Sequence, residues 1–136
     1  MKNLIQLLYL SKAAPGIGSS DLAAIIATAS SKNQALGITG ILCHKGGYFL
    51  QLLEGEEIPL LDLYLKIARD PRHTDPVIVS ISTATSQIFK GWAMGAIDEN
   101  LVPKEYGKEI LRLRNSRTEQ GKALLMMVRL RDLLNS

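Results

Sequence analysis

The feature that most constrains this chain is a hairpin bracketed by two helices. Residues 37–42 (Gly-Ile-Thr-Gly-Ile-Leu) and 48–53 (Tyr-Phe-Leu-Gln-Leu-Leu) are short apolar runs, and Lys45-Gly46-Gly47 between them supplies residues that tolerate positive φ. They read as two antiparallel strands joined by a tight turn. Ahead of the hairpin, Ser19-Ser20-Asp21 offers N-cap oxygens, and Leu22, Ile25, Ile26 and Ala29 follow at i, i+3, i+4 and i+7, one apolar helix face that ends near Asn33. Behind it, Gly55-Glu56-Glu57 opens a second helix with acids in the first turn, where the macrodipole favours them. Leu60, Leu61, Tyr64, Leu65, Ile67 and Ala68 give that helix a broad apolar face, and Asp70-Pro71 stops it. Residues 3–10, apolar and followed by the breakers at 13–18, read as a first, central strand; residues 77–81 and 92–97 read as a fourth and a fifth. The order is β-α-β-β-α-β plus one strand. The expected fold is therefore α+β: a ferredoxin-like sheet with an added fifth strand and both helices on one face.

A chain of 136 residues suits one domain with a small extension. Residues 1–100 are expected to form that domain and residues 101–136 a helical cap in the same compact unit. In the cap, Val102, Tyr106, Ile110 and Leu113 mark one helix. The capping box Ser116-Arg117-Thr118-Glu119 opens another, which is apolar on nearly every side. The cap is expected on the sheet face that the two core helices leave open; contact with a second copy of the chain, as a homodimer or higher homo-oligomer, is the competing reading. The net charge of +3 is uneven: residues 1–100 hold eight Lys/Arg against nine Asp/Glu, residues 101–136 eight against four. That is too weak and too interleaved for a nucleic-acid footprint. A single cysteine, Cys43, builds neither a disulfide framework nor a thiolate metal site. The apolar run at 4–10 is too short for a membrane span, so the cytoplasm is the expected compartment.

Familiar catalytic patterns are missing. Gly16-Ile17-Gly18 precedes a helix but lacks the third glycine of a dinucleotide fingerprint, since residue 21 is Asp. His44 and His73 have no metal-ligand spacing, and Glu54, Glu56 and Glu57 are largely explained by a helix N-terminus. Three residues break the expected pattern more sharply. Tyr9 and Gln51 lie in apolar central strands, and Asn33 ends the first helix just before a buried strand. A buried amide needs partners for its donors and acceptor or it costs ~1–3 kcal/mol. Each residue taken singly also has an ordinary reading: a core Tyr tied to backbone, a solvent-facing edge Gln, an Asn at a helix C-terminus.

Taken together, Leu8-Tyr9-Leu10-Ser11, Asn33, Gly37-Ile38-Thr39-Gly40, Phe49-Leu50-Gln51-Leu52-Leu53-Glu54-Gly55, Asp70-Pro71-Arg72-His73 and Trp92-Ala93-Met94 resemble the BLUF family, blue-light sensors that use FAD. The resemblance spans residues 3–97 in order and spacing, and the tail looks like the two-helix cap of short, stand-alone members. It implies a flavin held non-covalently between the two core helices, with Ile25 and Ile67 sandwiching the ring and Phe49 packing beneath it. Asn33 would pair with the pyrimidine edge, Arg72 would donate to a ring carbonyl, and His73 would complete the site. Tyr9 would give an electron and a proton to the excited flavin, and Gln51 would rotate or tautomerise between them. Trp92 and Met94 would relay the change to the tail and to a downstream protein partner. The cofactor implied is FAD; FMN or riboflavin can substitute, because no phosphate-binding loop appears. Lys32 departs from the Asn or His that members often carry there. No metal, nucleic acid or membrane is implied, and the function is signalling by contact, not catalysis. The alternatives are a light-independent flavoprotein, which needs an open substrate position over the ring, and a ferredoxin-like module binding RNA or a metabolite. The second would need exposed strand aromatics that this sequence lacks.

Overall fold

The computed structural model describes residues 3–97 and 102–106, with residues 108, 110, 112, 127–129, 131 and 132. Its elements run β1 (Leu4–Ala13), α1 (Ser19–Leu36), β2 (Thr39–Lys45), β3 (Tyr48–Glu56), α2 (Glu57–Ala68), β4 (His73–Thr83) and β5 (Gly95–Ile97). The strands form one sheet in the order β4-β1-β3-β2-β5. β1 is antiparallel to β3 and β4, β2 is antiparallel to β3, and β5 is parallel to β2. The four-stranded antiparallel core is the expected ferredoxin-like arrangement. Gly46 and Gly47 make the two-residue turn between β2 and β3, both with φ above zero (60° and 83°), a conformation that costs glycine nothing.

Successive strand residues face opposite sides, so β1 and β3 each feed two cores. Ile5, Leu7 and Tyr9 join Phe49, Leu53, Leu42 and Ile38 under Leu60, Leu63 and Tyr64 of α2, with Leu22, Ile25, Ile26 and Ala29 of α1 packed alongside. Leu8, Leu10, Leu50 and Leu52 point the other way and meet Ile41, Cys43, Val79, Phe89 and Ile97. Burial on both faces explains why β1 and β3 read as near-continuous apolar runs rather than as alternating ones. A fully buried Leu contributes about 1.5–3 kcal/mol, so the second face matters as much as the first.

Val102, Ile110 and Met127 are buried in that second cluster, on the sheet face away from α1 and α2. The backbone is helical at residues 105, 106, 108, 110 and 112 and again at 127–129, 131 and 132. The rest of the two expected cap helices, including Leu113 and the box at 116–119, lies outside the described residues. The fifth strand is corrected: it spans Gly95–Ile97 instead of starting at Trp92. Trp92, Ala93 and Met94 belong to the preceding loop, tied down by Gly40 N–H donating to the Trp92 carbonyl (3.0 Å). β1, β3 and β4 run longer than their apolar stretches because polar residues continue the ladders, as in Lys12 opposite Tyr48 and Gln6 opposite Ser82.

Candidate functional site

A cavity of about 470 Å³ opens between α1, α2 and the sheet, within the ~300–1,000 Å³ usual for small-molecule sites. Ile25 and Ala29 of α1 form one wall, Leu63 and Ile67 of α2 the other, and Tyr9, Leu42, Phe49 and Gln51 the floor. Lys32, Lys66 and Arg72 also border it.

Tyr9 and Gln51 are direct cross-strand partners at the centre of the sheet. Both are buried, and the Tyr9 hydroxyl donates to Gln51 Oε1. Gln51 Nε2 in turn donates to Met94 Sδ at 3.3 Å. The three side chains thus form a buried hydrogen-bonded row on the cavity wall. Burial pushes the Tyr9 phenol far above its ordinary range, and the neighbouring Tyr64 and Asp70 push it further. Tyr9 is therefore a neutral phenol whose proton points at an amide oxygen. The Tyr64 ring closes over Tyr9 edge-on, centroids 5.3 Å apart.

Asn33 sits in the last turn of α1, almost fully buried. Its carbonyl accepts from Gly37 and Ile38 N–H as the helix ends, and its side-chain Nδ2 donates to the Ala93 carbonyl at 2.8 Å. An amide nitrogen carries two N–H groups, so this bond leaves one donor and the carbonyl oxygen for a ligand.

Arg72 is gripped by Asp70. Nε donates to Oδ1 at 2.9 Å, Nη2 to Oδ2 at 2.5 Å, and the Arg72 backbone N–H to Oδ1 at 2.9 Å. The pairing holds the Asp70 carboxyl below its ordinary range and raises Arg72. Two of five guanidinium N–H groups are used, leaving the others for a ligand carbonyl. His73 borders the cavity, but its ring nitrogens are engaged within the protein: Nε2 lies 2.5 Å from the Ile67 carbonyl and Nδ1 2.7 Å from Ser11 Oγ. A carbonyl only accepts, so Nε2 carries a proton, and the Ser11 hydroxyl engages the other ring nitrogen. His73 therefore locks the end of α2 to β1.

Of the residues singled out in the sequence, Tyr9, Ile25, Asn33, Phe49, Gln51, Ile67, Arg72, His73 and Met94 all border this one cavity. Trp92 does not. It packs against the core on the opposite sheet face. One contributor was missed, Asp70 as the clamp on Arg72, and so was Glu54, which lies on the opposite sheet face. Glu54 is a buried carboxylate in phase with Leu50 and Leu52 on β3, not part of the helix-opening acids. Its strand phase was the available signal. Among the described residues no group of three His, Cys, Asp or Glu could hold a metal, and no helix is long and apolar enough to cross a membrane.

Aliphatic walls on two helices, with amide and guanidinium donors at the edge, fit a planar heteroaromatic ring bearing an imide edge. The comparisons with known proteins agree. Residues 4–95 match the family model described as sensors of blue-light using FAD. The chain is 38% identical over 100 residues to the photoactivated adenylate cyclase subunit beta of Euglena longa, covering 73% of this chain and only 12% of that protein. The fold superposes on the dark-state structure of BlrB, a BLUF protein, with a TM-score of 0.81 and 26% identity over 97% of this chain and 98% of that one. Klebsiella pneumoniae BlrP1, solved with FMN and cyclic diGMP, gives a TM-score of 0.71 and 37% identity over 90% of this chain and 34% of that one. On a family match that covers both core helices and the first four strands, this chain belongs to the BLUF family of blue-light sensors that use flavin.

Proposed function

We propose that this chain holds a flavin non-covalently in the cavity between α1 and α2 and reports blue light by rearranging the Tyr9–Gln51–Met94 row. The reading is of a cytoplasmic sensor that acts on a partner by contact and catalyses nothing itself. FAD is the expected cofactor; FMN and riboflavin substitute. When bound, the flavin supplies the absorption of blue light and an excited state that accepts an electron.

The chain's own residues do the rest. Ile25 and Ile67 hold the ring from the two helices, with Phe49 beneath. Asn33 pairs with the imide edge through the donor and acceptor that Ala93 leaves over. Arg72, oriented by Asp70, donates to a ring carbonyl, and His73 keeps the end of α2 in register with β1. Tyr9 is the electron donor. An oxidised phenol is a strong acid, and the proton has a ready acceptor in Gln51 Oε1. Gln51 is the switch. In the present arrangement its oxygen faces Tyr9 and its nitrogen faces Met94. Turning the amide exchanges donor and acceptor ends, so the bond to the Met94 sulfur is lost and the Tyr9 hydroxyl must find another acceptor. Met94 is unbranched and adapts to either state. With Trp92 it passes the change to the tail and on to a partner protein, either a separate chain or a further part of a longer one.

The observation that carries this reading is the buried row of phenol, amide and thioether on the wall of an apolar cavity. The test is an absorption spectrum of the purified flavin-loaded protein before and after blue light. A small red shift that reverses in darkness is expected. Tyr9→Phe and Gln51→Leu are expected to bind flavin and lose the shift. A full photocycle in either variant overturns the assigned roles, and steady turnover of a reductant without any shift overturns the sensor reading in favour of a flavoenzyme.

A further inference from the structure

Glu54 is almost fully buried near the end of β3, on the sheet face away from the cavity. Its strand neighbours are Gln6 on β1 and Thr39 on β2. Its carboxylate accepts four hydrogen bonds. Oε2 takes Gln6 Nε2 (2.8 Å) and the Ile88 N–H (2.8 Å). Oε1 takes the Phe89 N–H (2.7 Å) and the Thr39 hydroxyl (3.2 Å). All four donors are neutral, and two are consecutive backbone amides of a turn. Bonds to an ionised acceptor are roughly twice as strong as neutral ones, so residues 88 and 89 are pinned to the sheet. Gln87 adds to the attachment, its Nε2 lying 3.0 Å from the Gly37 carbonyl and 3.2 Å from the Glu54 carbonyl.

The same segment continues to the cavity. The Trp92 carbonyl accepts from Gly40 N–H, the Ala93 carbonyl from Asn33 Nδ2, and Met94 Sδ from Gln51 Nε2. Its other end meets the C-terminal tail. Arg131 Nη1 donates to the Ile88 carbonyl at 3.1 Å, and its guanidinium lies over the fully buried Phe89 ring, 5.5 Å from the centroid. Residues 87–94 are thus a strap with the proposed switch at one end, the tail at the other, and a buried carboxylate fixing the tail end to the sheet.

We propose that Glu54 is a positioning residue for the light response: its carboxylate holds residues 88 and 89 so that a shift of residues 92–94 is transmitted to Arg131. Without the anchor, the strap absorbs the displacement and the tail does not feel it. This rests on the sensor function proposed above. Glu54→Gln keeps the shape but turns one acceptor oxygen into a donor facing donors, so two of the four bonds go.

The test is hydrogen–deuterium exchange of the flavin-loaded full chain in darkness and under blue light, alongside the visible spectrum. In the unmodified protein, peptides covering 86–94 and 127–132 are both expected to change with light. In Glu54→Gln the red shift persists, because Tyr9, Gln51 and Met94 are untouched. The light-minus-dark difference at 127–132 is largely lost. Arg131→Ala, which leaves the sheet intact, gives the same loss at 127–132 while 86–94 still responds; if Glu54→Gln fails to load flavin, Glu54→Asp, which keeps the carboxylate but draws it back from residues 88 and 89, is read in its place and is expected to show the same loss. A red shift with an unaltered response at 127–132 in either variant overturns the inference, including the case where Glu54→Gln only lowers the melting temperature. No red shift in the unmodified protein overturns the sensor function instead.

Discussion

Asp70 carries no flavin contact of its own in this reading, yet it sets where the Arg72 guanidinium points. Its carboxyl lies below the ordinary range chiefly because of the Arg72 side-chain bond, with the backbone bond and the Arg72 and His73 charges adding to it. A lowered folded value means that the pairing stabilises the protein fully above the ordinary carboxylate range, and that this contribution is lost as pH falls through the lowered value. The pair is partly exposed, so the effect is modest. Melting temperatures followed from neutrality into acid are expected to drop less steeply for Asp70→Asn than for the unmodified protein. Parallel acid limbs would show that the pair contributes nothing to folding. The residues of the site were legible to different degrees for physical reasons. Tyr9 and Gln51 stand out because a polar group in an apolar run must be satisfied or is costly, and Asn33 because it ends a helix just before a buried strand. Glu54 did not, because it adjoins two acids that a helix N-terminus explains, and its burial follows only from the phase of β3. Asp70 read as a helix stop; an Asp commonly accepts from the backbone two residues on, as it does here, but that says nothing of its grip on the Arg72 guanidinium.

At the scale of elements, the helices and the hairpin were visible because their signals are local: an i, i+3, i+4 stripe, a Gly-Gly turn, an Asp-Pro stop. The start of β5 was not, because residues 92–94 are apolar enough to pass for strand. A strand would put Trp92 and Met94 on the same face. The structure sends Met94 to the cavity side and Trp92 to the opposite cluster, which requires a loop there. Gly95 makes that loop possible. A Cβ at this position would lie 2.0 Å from Trp92 Cε3, so the indole is seated directly on the glycine backbone. Gly95→Ala is expected to displace the ring outward, since a half-buried side chain yields more readily than backbone, at a cost of about 1–3 kcal/mol. Trp92 is the only tryptophan in the chain, so its emission reports the displacement directly, as a red shift on exposure to water. Flavin binding is expected to survive, because Met94, Gln51 and Asn33 stand on the other side of the sheet. An unchanged emission spectrum in Gly95→Ala would mean that the indole is not seated there in solution.

For the molecule as a whole, the two sheet faces are finished differently. The face carrying Val102, Ile110 and Met127 is closed by the chain itself, whereas the face under α1 and α2 keeps its cavity for a ligand. A ring that fills this cavity binds the folded state alone, so at a hundredfold excess over Kd it adds about 2.7 kcal/mol to stability and raises the melting temperature by roughly 5–15 °C. The contacts argued for the site all go to the ring. The cations at the rim are paired or solvated: Arg72 is paired with Asp70, its remaining N–H groups going to the ring in this reading, and Lys66 with Asp62 at 3.4 Å, both partners of the latter pair mostly exposed. A phosphate reaching such a rim gains on the order of 0–1 kcal/mol, as exposed ion pairs do. Riboflavin, FMN and FAD are therefore expected to bind within about tenfold of one another and to produce equal red shifts. Titration of the apoprotein with each flavin, read by quenching of flavin fluorescence, measures the three constants. A preference for FAD over riboflavin of about a hundredfold or more, near 2.7 kcal/mol, would place a second set of contacts beyond the ring. Lys32, which borders the same cavity, would then be the first residue to substitute.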